Sequence, residues 1–376
     1  MLPSPAPLIL FGAFDRHNFG DLLLARVAAR LAAMEFPGRP LVWAGVAERN
    51  LEPWGGFSTR AIADLTRHWG DRPADVLYLG GELLSCSLYE AAVMVLAPDE
   101  AEAAIARYDS DGLARQSWAQ AQLHLDQQLA YLVPKALFRH PGRFVHRALG
   151  GVDLAALPPA MQAEALARLA ESDSLTVRDR VTRDWLADRG IQAALEPDPG
   201  ERVAGLFGDV IARHGEVGEP AEVGQAFPRG YVAVQFSADF GDDAALDSLA
   251  TGLDAALVGS ELGLVLFRAG AAPWHDDAAV YRRLMDRLHT RRVRLFDSLH
   301  LWDICALLAR ARCYCGSSLH GRIVSRAFGV PGVSLMRQAT PAPGKVQAYA
   351  QTWWGPGEGP VLPSGLGTAL VVALGQ

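Results

Sequence analysis

Side chains that could bind an anion and move a proton occur together in the stretch Gly316-Ser317-Ser318-Leu319-His320-Gly321. A short apolar run precedes this stretch, and the apolar spacing after it is typical of a helix that ends near Gly329 and Pro331. Amides at a helix N-terminus bind anions, and a histidine can exchange a proton near neutral pH. We therefore expect a strand, an anion-binding loop and a helix. The alternative is that Ser317 or Ser318 only caps the helix.

Arg178 is a second residue that could take part in chemistry. Residues 174–177 predict a short strand, and residues 182–189 predict a helix that Gly190 ends. At the end of a strand, a guanidinium can hold a carboxylate or a phosphate with two parallel hydrogen bonds, and Asp179 can hold the guanidinium in place. The alternative is an exposed Arg–Asp pair that contributes little to stability.

A polar loop near the N-terminus also follows a predicted strand. Residues 8–12 are apolar, the loop contains Asn18 and Gly20, and Asp21 is the expected N-cap of a helix that runs to about Ala33. Turn formation alone would also explain these loop residues. The loop has neither the dinucleotide-binding nor the P-loop spacing of glycines.

A further loop, Gly80-Gly81-Glu82, follows the predicted strand 75–79. Two residues without side chains allow a ligand close to the backbone. Glu82 could be an acid or a base, although an exposed loop carboxylate is the commoner case. Several polar loops at strand ends predict a doubly wound α/β sheet, because ligands bind at the carboxyl edge of such sheets.

The chain of 376 residues predicts two domains, at 1–200 and 201–376. Residues 83–150 are expected to form a mostly helical insertion, and the Pro- and Gly-spaced residues 196–228 are expected to connect the domains. In the second half, strands alternate with helices, and Ser298 is the expected cap of a helix that runs to Ala311. A last helix over residues 365–374 could pack back on the first domain.

Composition excludes several classes of partner. A net charge of −7 argues against nucleic acid, and no segment is apolar for long enough to span a bilayer. The four cysteines show neither a disulfide framework nor metal-ligand spacing, so we expect buried free thiols and no metal site. The N-terminus lacks the pattern of a secretory signal. A cytoplasmic location fits these features, and a peripheral position at the inner face of the membrane stays open.

Taken in order, the motifs resemble those of the polysaccharide pyruvyl transferase family. The resemblance extends from about Asn18 to Leu335. It rests on these motifs: Asn18-Phe-Gly-Asp21, Asp75-Val-Leu-Tyr-Leu-Gly-Gly81, Ser174-Leu-Thr-Val-Arg-Asp179, Pro197-Asp-Pro199, Gly316-Ser-Ser-Leu-His-Gly321 and Gly329-Val-Pro331.

The resemblance implies a GT-B-like pair of Rossmann-like domains that face a cleft. It implies an enzyme that transfers the pyruvyl group of phosphoenolpyruvate to hydroxyls of a sugar as a ketal, with a glycan or lipid-linked sugar as acceptor and without a cofactor. By the same resemblance, Arg178 and His320 would be catalytic, and the C-terminal domain would bind the donor. The donor-binding residues would be Arg178, Gly316, Ser317, Ser318, Leu319 and His320, and the acceptor or cleft-wall residues would be Asn18, Gly20, Asp21, Gly80, Gly81 and Glu82.

This chain departs from the family at one position of the last motif. Many members have Arg-Leu-His where this chain has Ser318-Leu319-His320, so Arg322 or Arg337 would have to supply the missing cation. Two alternative functions remain: a GT-B glycosyltransferase that uses a nucleotide-activated sugar, and an inactive carbohydrate-binding relative.

Overall fold

The computed structural model describes residues 6–340, 342–355 and 357–375. It contains two units, and each unit is built on one β-sheet. The first unit contains residues 6–17 and 21–199, and the second contains Asn18–Gly20 and residues from Gly200 onward. No helix in the described ranges combines the length and the apolar character needed to cross a bilayer.

The sheet of the first unit has the strand order β3-β4-β2-β1-β5-β6-β7-β8, and all neighbours except β3 and β4 are parallel. Its strands are β1 (Leu8–Phe11), β2 (Leu41–Gly45), β3 (Arg49–Asn50), β4 (Ser58–Ala61), β5 (Ala74–Leu79), β6 (Pro141–Leu149), β7 (Ser174–Val177) and β8 (Ala194–Leu195). The helices that begin before residue 200 are α1 (Phe19–Glu35), α2 (Ile62–Arg67), α3 (Leu88–Met94), α4 (Pro98–Tyr108), α5 (Gly112–Leu123), α6 (Pro159–Ala170) and α7 (Arg180–Ala187).

Strand β1 shows why the centre of this sheet is continuously apolar. Ile9 and Phe11 pack into the core on one face, and Leu8 and Leu10 pack into the core on the other. Because side chains alternate along a strand, a parallel strand that is covered on both faces needs apolar residues at every position.

The sheet of the second unit is parallel throughout, with the order β11-β10-β9-β12-β13. Counted within the unit, this order is 3-2-1-4-5, as in a Rossmann-type fold, and it confirms the predicted Rossmann-like architecture. The strands are β9 (Tyr231–Gln235), β10 (Gly263–Phe267), β11 (Val293–Phe296), β12 (Cys313–Gly316) and β13 (Gly332–Ser334). The helices are α8 (Val203–His214), α9 (Gly218–Ala226), α10 (Asp243–Leu257), α11 (Ala278–Met285), α12 (Leu301–Arg310), α13 (Leu319–Ala327), α14 (Lys345–Trp353) and α15 (Leu366–Leu374).

One expectation about elements in the first half of the chain is wrong: Asp21 is not the N-cap of α1, because the helix begins at Phe19 and Asn18 Oδ1 accepts the Gly20 amide at 2.9 Å. The insertion expected to be mostly helical contains α3, α4 and α5, and it also contributes β6, which lies between β5 and β7 in the sheet. The expected connection, residues 196–228, includes the boundary between the two units at Pro199 and Gly200, and most of its residues form α8 and α9.

In the second half, the last helix, α15, places Leu366 and Leu370 in the core of the second unit with Leu249 of α10. One expectation about this half is wrong. The N-cap of α12 is His300, and Ser298 instead accepts a hydrogen bond from the His300 amide at 3.2 Å.

Candidate active site

Arg178 is the first residue after β7 and is only 2% exposed. Its guanidinium donates hydrogen bonds to Glu82 Oε2 at 2.5 Å and to Asp198 Oδ2 at 3.0 Å. Burial alone would lower the pKa of Arg178, but the two carboxylates raise it above its ordinary value. The guanidinium therefore stays charged, and its position is fixed from two sides.

The sequence suggested that Asp179 holds Arg178 in place, and its charge does help to raise the pKa of Arg178, but its side-chain hydrogen bonds go elsewhere. It is the N-cap of α7, where its Oδ1 accepts the Thr182 amide at 2.7 Å. Burial raises the pKa of Asp179. Asp198 takes the expected role instead, and the signal in the sequence was its position in the Pro197-Asp-Pro199 motif.

Glu82 is a partner of this buried cation and not a solvated loop carboxylate. Its Oε2 pairs with Arg178 and its Oε1 accepts the Val152 amide at 2.9 Å. Gly80 and Gly81, which precede it, have positive φ angles of 62° and 78°. A Cβ on Gly150 would lie 2.7 Å from the Nε of Arg178, so only glycine leaves room for the pair.

The loop after β1 adds two buried charged residues, Asp15 and Arg16, that sequence reasoning did not single out. Arg16 Nε and Asp21 Oδ2 form an ion pair at 2.9 Å, and both residues are buried. Asp15 is fully buried, accepts the Ala47 amide at 2.8 Å and accepts the hydroxyl of Tyr131 at 3.3 Å. Burial raises the pKa of Asp15. The available signal was the position of Asp15 and Arg16 in the loop that follows a buried strand.

In the second unit, Ser317 and Ser318 join β12 to α13 and are held by Gln235 at the end of β9. The Ser317 amide donates to the Gln235 carbonyl at 3.2 Å, and the Ser318 amide donates to Gln235 Oε1 at 2.9 Å. Ser318 Oγ accepts the Gly321 amide at 3.1 Å, so Ser318 is the N-cap of α13. A Cβ on Gly316 would overlap the Gln235 carbonyl, which explains the glycine there.

His320 is the second residue of α13 and is half-buried. Its ring lies edge-on to the ring of Phe19, with centroids 6.5 Å apart and planes at 84°. A Cβ on Gly20 would overlap the imidazole. Asn18–Gly20 thus lies beside His320 within the second unit, and Leu319 is buried in the apolar cluster beneath α13.

Asp276 lies behind the serine loop and was not predicted. It is half-buried, and Gln235 Nε2 donates to both of its oxygens at 3.0 and 3.1 Å. The Ala269 amide donates to Oδ2 at 2.5 Å. Burial raises the pKa of Asp276 to about 6, although these hydrogen bonds lower it. The sequence carried no signal, because the residues that surround Asp276 come from different strands.

The two arginines expected to replace the family cation both have acidic partners. Arg322 is 4% exposed and pairs with Glu358 at 2.7 Å. Arg337 pairs with Asp242 and donates to the Asp239 carbonyl at 3.0 Å.

Each unit therefore gathers its own set of predicted residues at the carboxyl edge of its sheet. In the first unit, Arg178 and Glu82 are in direct contact, and Gly80 and Gly81 lead into Glu82. In the second unit, residues 316–320 lie beside Asn18–Gly20. It stays a prediction that Arg178 and His320 act on one substrate.

Comparison with known proteins identifies a family for part of the chain. Residues 157–338 match the family model described as polysaccharide pyruvyl transferase. This segment contains both the Arg178 motif and the His320 motif. No curated protein sequence matches the chain significantly.

Solved structures share the fold at low sequence identity. The UDP-GlcNAc 2-epimerase from Methanocaldococcus jannaschii aligns over 99% of this chain and 93% of its own, with 11% identity and a TM-score of 0.50. The UDP-GlcNAc 2-epimerase from Neisseria meningitidis aligns over 98% of both chains, with 12% identity and a TM-score of 0.49. ADP-heptose LPS heptosyltransferase II from E. coli also aligns over 98% of both, with 13% identity and a TM-score of 0.43. At these identities the likeness concerns only the GT-B-like fold.

Proposed function

We propose that this protein, whose residues 157–338 match the polysaccharide pyruvyl transferase family model, is a transferase that moves the pyruvyl group of phosphoenolpyruvate onto sugar hydroxyls. The product is a cyclic ketal on a cell-surface polysaccharide or on its lipid-linked precursor. The observation that carries the proposal is the family match over both motifs, each of which follows a parallel strand directly.

The reaction needs a proton donor and a proton acceptor. The methylene carbon of phosphoenolpyruvate gains a proton, and a sugar hydroxyl attacks the adjacent, now cationic carbon that bears the phosphate and loses its own proton. A second hydroxyl of the sugar then replaces the phosphate on that carbon, and its proton goes to the departing phosphate. His320, at the first turn of α13, is our choice for proton transfer, because an imidazole can serve as acid or base near neutral pH.

Arg178 is our choice for binding the donor carboxylate, and the structure suggests how. The side chain of Asp198 is 0% exposed, whereas that of Glu82 is 20% exposed. We propose that the donor carboxylate replaces Glu82 on the guanidinium and leaves Asp198 in place. The phosphate would lie at the N-terminus of α13, whose first-turn amides favour an anion.

Donor identity can be tested by thermal shift, because a ligand that binds only the folded protein raises the melting temperature. We expect phosphoenolpyruvate to raise it with saturation, and an equimolar mixture of pyruvate and phosphate to have little effect. If only a nucleotide sugar such as UDP-GlcNAc raises it, the glycosyltransferase alternative is right and the pyruvyl proposal is wrong.

Turnover tests the role of His320 and separates an enzyme from an inactive relative. With a panel of sugar acceptors, we expect acceptor-dependent release of phosphate from phosphoenolpyruvate. His320→Gln should lower this rate about 10²- to 10⁴-fold and keep the thermal shift by the donor. His289→Gln, at a histidine whose side chain is 94% exposed in the same unit, is the matched control and should keep the rate. Unchanged turnover in His320→Gln would exclude the proposed role.

We further propose that the enzyme works in the cytoplasm, at the inner face of the membrane when its acceptor is lipid-linked. The support is the presence of free, buried thiols at Cys86, Cys305, Cys313 and Cys315. Cell fractionation checks this, and recovery of the protein outside the cytoplasmic and inner-membrane fractions would contradict it.

A further inference from the structure

Two histidines and an aspartate lie together in the second unit, away from the serine loop. His214 ends α8, His300 directly precedes α12, and Asp303 lies in the first turn of α12. One ligand atom from each of the three lies within 4.8 Å of the other two. His214 is 86 or more residues from the other two, so no sequence motif joins them.

The separations are close to those of a metal-ligand set. Nδ1 of His214 lies 2.6 Å and Nδ1 of His300 lies 3.9 Å from the same Oδ1 of Asp303. Ligands about 2.0–2.1 Å from a tetrahedral ion are about 3.4 Å from one another, so the two distances bracket the required value. The two imidazole rings are nearly parallel, at 10°, with centroids 5.0 Å apart. An ion would require Asp303 Oδ1 to move about 0.8 Å away from His214 and about 0.5 Å towards His300, and one imidazole to rotate so that both Nδ1 atoms point at the ion.

Surrounding residues orient the carboxylate. Ser298 Oγ donates to Oδ2 of Asp303 at 2.7 Å, so the other oxygen is left to face the imidazoles. Ser298 is fixed in turn, because its amide donates to Glu219 Oε2 at 2.7 Å. Hydrogen bonds of this kind around the ligands orient them in metal sites.

From this arrangement we infer a site for one divalent transition-metal ion, with zinc as the expected occupant, held by His214, His300 and Asp303. Two imidazoles favour zinc and its neighbours over magnesium or calcium, which prefer oxygen ligands. The side chains of the three residues are 30%, 28% and 22% exposed, so water can reach a fourth position.

The site is distinct from the loop that contains His320. His300 follows β11, and β10 and β9 lie between β11 and β12 in the sheet. Neighbouring strands are about 4.8 Å apart, so the ends of β11 and β12 are separated by about 14 Å. The inference therefore does not depend on the proposed pyruvyl transfer.

Cobalt(II) is a suitable probe, because it replaces zinc and absorbs visible light in a low-symmetry site. We expect the full-length protein, first treated with a chelator, to bind one equivalent of cobalt(II), and zinc to displace it. His214→Ala and His300→Ala should each weaken binding at least tenfold. The matched control is His289→Ala, because His289 faces a single carboxylate, Asp254, without a second imidazole, and it should bind as the wild type does.

Ser298→Ala keeps all three ligands and should weaken binding about tenfold, which tests the site even if a histidine variant fails to fold. Circular dichroism checks the fold of each variant. Absence of stoichiometric binding, or equal binding by the wild type and His300→Ala, would overturn the site and leave only a His214–Asp303 ion pair beside a stacked ring.

Discussion

Arg178 is proposed to bind an anion, although its guanidinium already pairs with two carboxylates. One positive charge faces Glu82 and Asp198, so an incoming carboxylate meets an excess of negative charge unless one partner leaves. Glu82 is the more exposed of the two and is replaced at lower cost, because its charge can be hydrated after it leaves. Competition between Glu82 and the donor is therefore a property that can be measured.

Glu82→Gln should lower the KM for phosphoenolpyruvate roughly five- to tenfold, because an uncharged amide competes less well for the guanidinium; tenfold corresponds to about 1.4 kcal/mol. Steady-state kinetics with varied donor checks this. Glu358→Gln is the matched control, since it removes a carboxylate from the buried Arg322 in the same way and should leave KM unchanged. A higher KM in Glu82→Gln would mean that Glu82 does not compete with the donor.

Asp276 should give the protein a distinctive dependence of stability on pH. Its pKa is about 6 in the folded protein, against an ordinary value of 3.8. The protonated carboxyl therefore stabilises the fold, and this contribution is lost as the pH rises from about 3.8 to 6. Two pKa units correspond to about 3 kcal/mol. Relative to Asp276→Asn, the wild type should lose about this much free energy of unfolding across that range.

Urea unfolding at several pH values measures the difference between wild type and Asp276→Asn. Asp242→Asn is the control, because the hydrogen bond from the Ala245 amide lowers the pKa of Asp242, so the contribution of this carboxylate to stability has the opposite dependence on pH. The free energy that wild type gains over Asp242→Asn should therefore not fall as the pH rises. A flat difference curve for Asp276→Asn would show that the Asp276 carboxyl does not titrate in that range.

At the scale of elements, α13 depends on its N-cap. Ser318 is the N-cap of this helix, and its hydroxyl accepts the Gly321 amide at 3.1 Å. Ser318→Ala should lower the free energy of unfolding by about 1 kcal/mol, and Ser318→Asp should largely retain it, because aspartate is an equally good cap. Chemical denaturation checks both. Equal stability of Ser318→Ala and wild type would mean that the cap contributes nothing.

The elements that were predicted correctly are specified by residues that are contiguous in the sequence. Strand β7 was predicted at its observed bounds and β5 within one residue of its bounds, because a short run of strand-forming residues next to turn residues already indicates a strand. Strand β6 was missed because polar residues interrupt its apolar pattern. Arg147 pairs with Glu196, and His146 Nδ1 shares a hydrogen bond with the Ser172 hydroxyl, both on segments distant in sequence.

The candidate site, too, could be predicted only where its residues are close together in the sequence. The positions of Arg178 and residues 316–320 after their strands could be predicted, since strand, loop and helix are contiguous in the chain. Their partners could not: Glu82 is 96 residues from Arg178, and Gln235 is 83 residues from Ser318. Sequence spacing indicates which loop carries chemistry, but only the sheet order shows which side chains meet there.

At the scale of the molecule, the cysteines are divided unequally between the two units. Cys86 lies in the first unit, and Cys305, Cys313 and Cys315 lie in the second. All are buried, and burial raises the pKa values of Cys86 and Cys313 to about 12. Since the thiolate is the reactive form, each thiol should react only after its own unit opens.

Thiol labelling can therefore follow the unfolding of each unit separately. We expect the native protein to react with a disulfide reagent orders of magnitude more slowly than the urea-unfolded chain, in which four thiols react. In Cys86→Ala three thiols should react, all from the second unit, so the difference between the two labelling curves reports opening of the first unit. Mass spectrometry of the labelled peptides assigns each site. Rapid labelling of any one cysteine under native conditions would contradict the burial of that residue and of the core around it.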